Sequence, residues 1–120
     1  MKTAIVYGGR KYKNKKLVYE TLDEYKPDIV LTGDATGADR FARQWTKERG
    51  VLCLVRMIHD TTWERHGKQA GPQGNRALAA SALGLARQGC ARGFEFPGGK
   101  GTADMHGRLA WAEIKITVVG

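Results

Sequence analysis

Three glycine-containing segments carry the residues best suited to hold an anion. Gly8-Gly9-Arg10, Gly33-Asp34-Ala35-Thr36-Gly37 and Pro97-Gly98-Gly99-Lys100-Gly101-Thr102 combine small residues with cations and hydroxyls. Glycines in succession let main-chain N–H groups converge on phosphate oxygens, and a helix that follows adds the positive end of its dipole. The third segment is the strongest of the three, because a plain strand-to-helix turn needs one glycine and this one holds three. Thr102 is suited to cap the following helix or to hydrogen-bond a phosphate oxygen. Arg10 has the chemistry for a bidentate grip on phosphate or carboxylate, its alternative being an ordinary surface arginine. Thr36 can donate to phosphate, and Asp34 or Asp39 can accept from ribose hydroxyls. Asp39 would equally stabilise the start of a helix without any ligand.

The elements that must position these segments follow from apolar spacing. Thr3 to Tyr7 reads as a buried strand ending in Gly8-Gly9. Asn14 is placed to cap a helix through Leu17, Val18, Leu22 and Tyr25, which Pro27 stops before a second strand, Ile29 to Thr32. Ala38, Phe41, Ala42 and Trp45 mark a second helix ending near Gly50, and Val51 to Met57 a third strand. Asn75 is expected to open a third helix, with Leu78, Ala79, Ala82, Leu83 and Ala86 on one face. Cys90 to Phe96 is a fourth strand, followed by a helix through Met105, Leu109 and Ala112 and a last strand, Ile114 to Val119. Strands alternating with helices require crossovers. The predicted fold is therefore α/β, one Rossmann-like, doubly wound domain over residues 1–120, with a mainly parallel five-stranded sheet covered by helices on both faces. All three glycine segments then lie at strand carboxyl ends, where such sheets bind ligands.

Residues 58–74 lack clear periodicity and carry Trp63, His66, Gly67, Lys68, Gly71 and Pro72, which predicts a long functional loop. A lone histidine is more often packed or exposed than catalytic, and Trp63 is better explained as a cover for the core than as a base-stacking ring. His59, His66 and His106 show no ligand spacing with Cys53 or Cys90, so no metal and no cofactor is expected.

Composition narrows the partners. Twenty Lys and Arg against twelve Asp and Glu give 120 residues a formal charge of +8, which favours anionic partners. The densest basic run is Arg10, Lys11, Lys13, Lys15 and Lys16, which is as well explained by solubility as by function. Two cysteines in apolar or small-residue stretches predict reduced, buried thiols and no disulfide framework. With no secretory leader pattern and no run of transmembrane length, the expectation is a cytoplasmic protein with no membrane partner.

Four ordered motifs together resemble a known group. They are Gly8-Gly9-Arg10-x-Tyr12, Thr32 to Asp39, Trp63-x-x-His66-Gly67-Lys68-x-Ala70-Gly71-Pro72-x-x-Asn75, and Phe96-Pro97-Gly98-Gly99-x-Gly101-Thr102-Ala103-Asp104-Met105. The chain is similar to the SLOG superfamily, and within it to the family related to YspA. The resemblance implies a Rossmann-like fold, often oligomeric, whose glycine loops bind nucleotides or nucleotide-derived signals in bacterial and phage systems. It does not imply a single reaction. One branch of the superfamily releases bases from nucleoside monophosphates and carries a glutamate three residues after the motif threonine; another binds single-stranded DNA. Three departures stand out: Met105 at that glutamate position, Asp34 where relatives usually have a second glycine, and Gly74 in place of an arginine before Asn75.

The expected ligand set is Gly8, Gly9, Arg10, Tyr12, Gly33, Asp34, Thr36, Gly37, Asp39, His66, Lys68, Asn75 and Pro97 to Thr102. No catalytic residue is assigned. The expected partner is a nucleotide-like small molecule bound by a sensor or sequestering module that acts as a homo-oligomer. Hydrolysis of a nucleotide N-glycosidic bond and binding of single-stranded nucleic acid are the alternatives.

Overall fold

In the computed structural model of the chain, which describes residues 1–56 and 70–120 (residues 70–74 by backbone alone), alternation in the first strand sets the layers. Ala4 and Val6 of β1 (Lys2–Tyr7) are buried toward one face, and Ile5 and Tyr7 toward the other. Both faces of a strand are buried when helices cover both sides of a parallel sheet. The sheet contains β2 (Ile29–Gly33), β3 (Leu52–Arg56), β4 (Cys90–Glu95) and β5 (Lys115–Val118), in the order β3-β2-β1-β4-β5. Every neighbouring pair is parallel.

Helices α1 (Lys15–Tyr25) and α2 (Ala38–Arg49) cover one face, where Val18, Leu22, Ala42 and Trp45 join Ala4, Val6, Phe94 and Phe96 in one core. Helices α3 (Ala70–Ala86) and α4 (Lys100–Trp111) cover the other, where Leu78, Ala82, Met105 and Leu109 pack on Ile5, Tyr7 and Leu31. The helix ends follow their local chemistry. Asn14 caps α1, its Oδ1 accepting from the Leu17 N–H at 3.1 Å, a contact worth about 1 kcal/mol. Gly50 ends α2 in the left-handed region at φ 68°. No helix among the described residues is long and apolar enough to cross a membrane.

Among the described residues five strands and four helices stand where apolar spacing puts them, with three corrections. Helix α3 begins at Ala70, five residues before Asn75, so Asn75 lies inside the helix and does not open it. Gly71 and Pro72 read as loop residues, yet a proline in a first turn gives up an N–H that has no helical partner anyway. Helix α4 begins at Lys100 with Gly99 as its cap residue, so Thr102 is in the first turn and does not cap. Cys90 is exposed at the start of β4 and Cys53 is half-buried, so neither thiol is buried. The third strand is described over Leu52–Arg56; Met57, Trp63, His66 and Lys68 lie outside the described residues.

Candidate functional site

Strand order creates the cleft. From β1 the chain steps outward through β2 to β3, then returns to the far side of β1 for β4 and β5. The helices that follow β1 and β4 therefore lie on opposite faces of the sheet, which leaves a crevice at the carboxyl ends of the strands. Register keeps those ends level: Tyr7 pairs beside Glu95, Val6 beside Thr32, and Gly33 beside Arg56. The resulting cleft encloses about 600 Å³.

The three glycine segments form one surface because their backbones touch. The Gly9 N–H donates to the Pro97 carbonyl at 2.9 Å, and the Thr36 hydroxyl donates to the Arg10 carbonyl at 2.9 Å. Gly37, at φ 74°, comes so close that a Cβ there would strike the Gly9 carbonyl oxygen and the Arg10 backbone. A Cβ at Gly98 would strike the Thr102 hydroxyl and stand 2.6 Å from the Gly9 nitrogen. Close packing explains Gly37 and Gly98 without any ligand.

Gly99 and Gly101 differ. A Cβ at either meets nothing within 4 Å, and Gly99 has a negative φ of −101°, so neither packing nor a left-handed backbone calls for glycine. Both line the cleft at the start of α4, whose cap residue offers no side-chain hydrogen bond to the first-turn N–H groups. Those N–H groups have no partner within the helix. Lys100, Thr102, Arg10 from the β1 loop and Arg56 from the end of β3 line the same space.

Carboxyl groups complete the lining. Asp104 accepts from Asn75 Nδ2 at 3.0 Å and Arg108 Nε at 2.8 Å. Burial alone would raise its pKa, but the hydrogen bonds from Arg108 and Asn75 hold it below the usual carboxylate range. Asn75 Nδ2 also donates to the Gly101 carbonyl at 3.0 Å, which bolts α3 to the first turn of α4. Asp39 is 7% exposed, and burial pushes its pKa up to about 7, against the pull of Arg43 and of N–H groups of Ala35 and Gly33; Asp34 pushes it the same way as burial. Its Oδ1 is buried and has no hydrogen-bond partner among the described residues. Tyr7 donates to Glu95 Oε1 at 3.0 Å, and burial followed by that carboxylate raises its pKa far above the ordinary phenol value.

Of the expected ligand residues, Gly8, Gly9, Arg10, Gly33, Asp34 and Asp39 line the cleft from the β1 and β2 side. Asn75, Gly99, Lys100, Gly101 and Thr102 line it from the α3 and α4 side. Gly37 lies against the back of the β1 loop, and Thr36 is turned to Arg10, its one proton committed to that carbonyl. Tyr12, Pro97 and Gly98 border an adjoining, open recess with Lys11 and Lys13, which shares Gly9, Arg10 and Gly99 with the cleft, and the Tyr12 ring packs 5.3 Å from Phe96. His66 and Lys68 lie outside the described residues. Sequence reasoning missed Arg56 and assigned Asp104 no place in the cleft. Arg56 ends β3 as the glycine segments end their strands, so the same argument reaches it. Asp104 and Met105 both line the cleft, although Met105 is 1% exposed and packs in the core of α3, α4 and the sheet.

Comparison with known proteins places this arrangement. Residues 4–66, which include the first two glycine segments, match the model of the YspA, cpYpsA-related SLOG family. Among solved structures the chain is similar to DNA processing protein A (DprA) from Streptococcus pneumoniae, with a TM-score of 0.58 and 16% sequence identity. That match covers 98% of this chain and 58% of the DprA chain, so this chain spans little more than half the neighbour's length. At that identity the likeness establishes the fold. No curated protein sequence matches the chain.

Proposed function

The chain belongs to the YspA, cpYpsA-related SLOG family, and from that membership we propose that its cleft binds a phosphate-bearing, nucleotide-derived small molecule, as a sensor or sequestering module. One observation carries the reading. The start of α4 opens into the cleft with Gly99 and Gly101 bare where packing would admit side chains. Uncapped first-turn N–H groups with a helix dipole behind them favour an anion, and the missing Cβ atoms leave it room. Arg10, Arg56 and Lys100 bring positive charge to the same space. Mass spectrometry of small molecules released on denaturing the purified protein tests the proposal directly. A phosphate ester carried through purification is expected, and calorimetry showing no affinity for any nucleoside mono- or diphosphate would refute it.

Hydrolysis of a nucleotide N-glycosidic bond is a second reading, favoured by a single observation: Asp39, a cleft carboxyl pushed to about 7, is poised to exchange a proton near neutral pH. Against it, the glutamate position of the hydrolase-type motif is the buried Met105, and Asp104 is held ionised by Arg108 and Asn75. Single-stranded nucleic acid fits less well. The exposed Lys11, Lys13, Lys15 and Lys16 are confined to one short stretch of chain, and Tyr12, the aromatic among them, packs on Phe96 instead of offering its face to a base.

A further inference from the structure

Arg56 closes β3 at the edge of the sheet, and its exposed side chain lines the cleft. Its Nε donates to the Ser81 hydroxyl of α3 at 2.7 Å, while Ser81 itself stands outside the cleft lining. Among the described residues Arg56 forms no salt bridge. Stability gives little reason for the contact, because one neutral hydrogen bond at the surface is offset by the rotamer freedom that a long side chain loses. What the bond does is fix the guanidinium. With Nε spent on Ser81, the two terminal nitrogens remain as a fork of donors, the geometry from which a phosphate or carboxylate accepts bidentately.

Strand order sets how far that fork lies from the start of α4. In the order β3-β2-β1-β4 three spacings separate the strand that ends in Arg56 from the strand that leads into α4, about 14 Å in all. The Arg56 side chain shortens the span by reaching to α3, but a single phosphate at the start of α4 does not meet both ends. Asp34 and Asp39 line the cleft from β2 and α2, and Arg43, which donates to the Gly33 carbonyl at 2.6 Å, offsets part of their charge. The β3 end is therefore no general trap for anions, and a second anionic group gains there only by meeting the fork directly.

We infer that the cleft takes a ligand with anionic groups at both ends, one at the start of α4 and one on Arg56, and that Ser81 is the residue that positions Arg56. The inference rests on the anion-binding reading of the α4 end and narrows the ligand class to a nucleoside bisphosphate with its phosphates on separate carbons of the sugar. A diphosphate, whose two anionic groups are adjacent, carries the second charge in the wrong place.

The test is titration calorimetry with AMP, ADP and adenosine 3′,5′-bisphosphate as probes. The bisphosphate is expected to bind about tenfold more tightly than AMP, and ADP to gain much less. Arg56→Lys keeps the charge but loses the fork, and the preference for the bisphosphate over AMP should disappear. Ser81→Ala leaves the fork unfixed and should reduce that preference severalfold, whereas Ser81→Thr, which retains a hydroxyl, should keep it. Equal affinity of AMP and the bisphosphate for the unmodified protein would overturn the inference and leave the anion reading standing, and so would an equal gain from ADP, which would make the second charge alone responsible. Failure of all three probes to bind would overturn both readings. The comparison of probes on the unmodified protein decides the matter even if a variant fails to fold.

Discussion

Replacing Asp39 by asparagine should make the folded protein more stable at alkaline pH. The carboxyl stands at about 7 in the fold against an ordinary value of 3.8. At ~1.4 kcal/mol for each tenfold, that difference opposes folding by about 4 kcal/mol once both states are ionised. The sign follows from proton binding. Between 3.8 and about 7 the folded chain holds the Asp39 proton more tightly than the unfolded chain. Its stabilising effect is present in full below the lower value and is lost as pH rises through the upper one. Between pH 5 and pH 8 the loss is about 2 to 3 kcal/mol, and asparagine, which does not titrate, escapes it. Thermal unfolding of both proteins across that range is the assay. The difference in Tm, variant minus unmodified protein, should grow by roughly 10 °C, at about 4 °C per kcal/mol for a domain of this size. Other carboxylates titrate in both proteins and cancel in the difference. A constant gap from pH 5 to pH 8 would show that Asp39 is solvated in the folded state, and that burial and the orphaned Oδ1 place no constraint on it.

Other substitutions separate ligand contact from architecture. Arg10→Ala removes an exposed cation and should weaken binding of a nucleoside monophosphate ten- to a hundredfold, the effect of losing a charge-assisted hydrogen bond of about 1.5 to 3 kcal/mol, as read by calorimetry. Gly99→Ala should leave the unfolding midpoint unchanged but reduce the same affinity, whereas Gly98→Ala should lower the midpoint through collision with Thr102 and Gly9, so equal effects from the two would contradict the loop geometry. Incubation with AMP followed by chromatography should give no free base above background, because Met105 is buried apolar core at the position where a carboxylate would be needed. If nucleic acid binds at all, gel shifts on a single-stranded oligonucleotide should show weak retention that salt abolishes; submicromolar retention would make the basic run after Arg10 a functional surface.

The sheet was legible because β1 carries its instructions in four residues. Ala4, Ile5, Val6 and Tyr7 are apolar on both faces, a pattern that only a strand covered from both sides satisfies. The cleft was legible where a glycine pair follows a strand, since strand ends are where a parallel sheet binds. What could not be read was the purpose of each glycine. Gly37 and Gly98 are required by chains passing within contact of each other, while Gly99 and Gly101 face open space, and the letters are the same. Likewise Thr36 carries a hydroxyl suited to phosphate, but a carbonyl 26 residues away in sequence claims its proton. The start of α3 was misplaced because Pro72 is read as a stop when its position inside a first turn is unknown. Asp104 was passed over because Asn75, the partner that ties it to the cleft, reaches it only through the packing of α3 on α4; Arg108, one turn on in the same helix, is an ordinary surface pair in sequence.

The bond from the Gly9 N–H to the Pro97 carbonyl also dictates when the cleft comes into being. It continues the ladder that pairs residues 2–7 with residues 90–95, so the central strand waits for a neighbour more than eighty residues further along the chain. Contacts between such distant segments must first overcome the entropy of closing the intervening loop, and they form late in folding. During synthesis the first two glycine loops can leave the ribosome, and β1, β2 and β3 can pair, before the third loop exists. The cleft therefore has both of its walls only after residues 97–102 have been made and β4 has paired with β1, and a molecule in which that pairing is broken has lost the third loop's place beside the first.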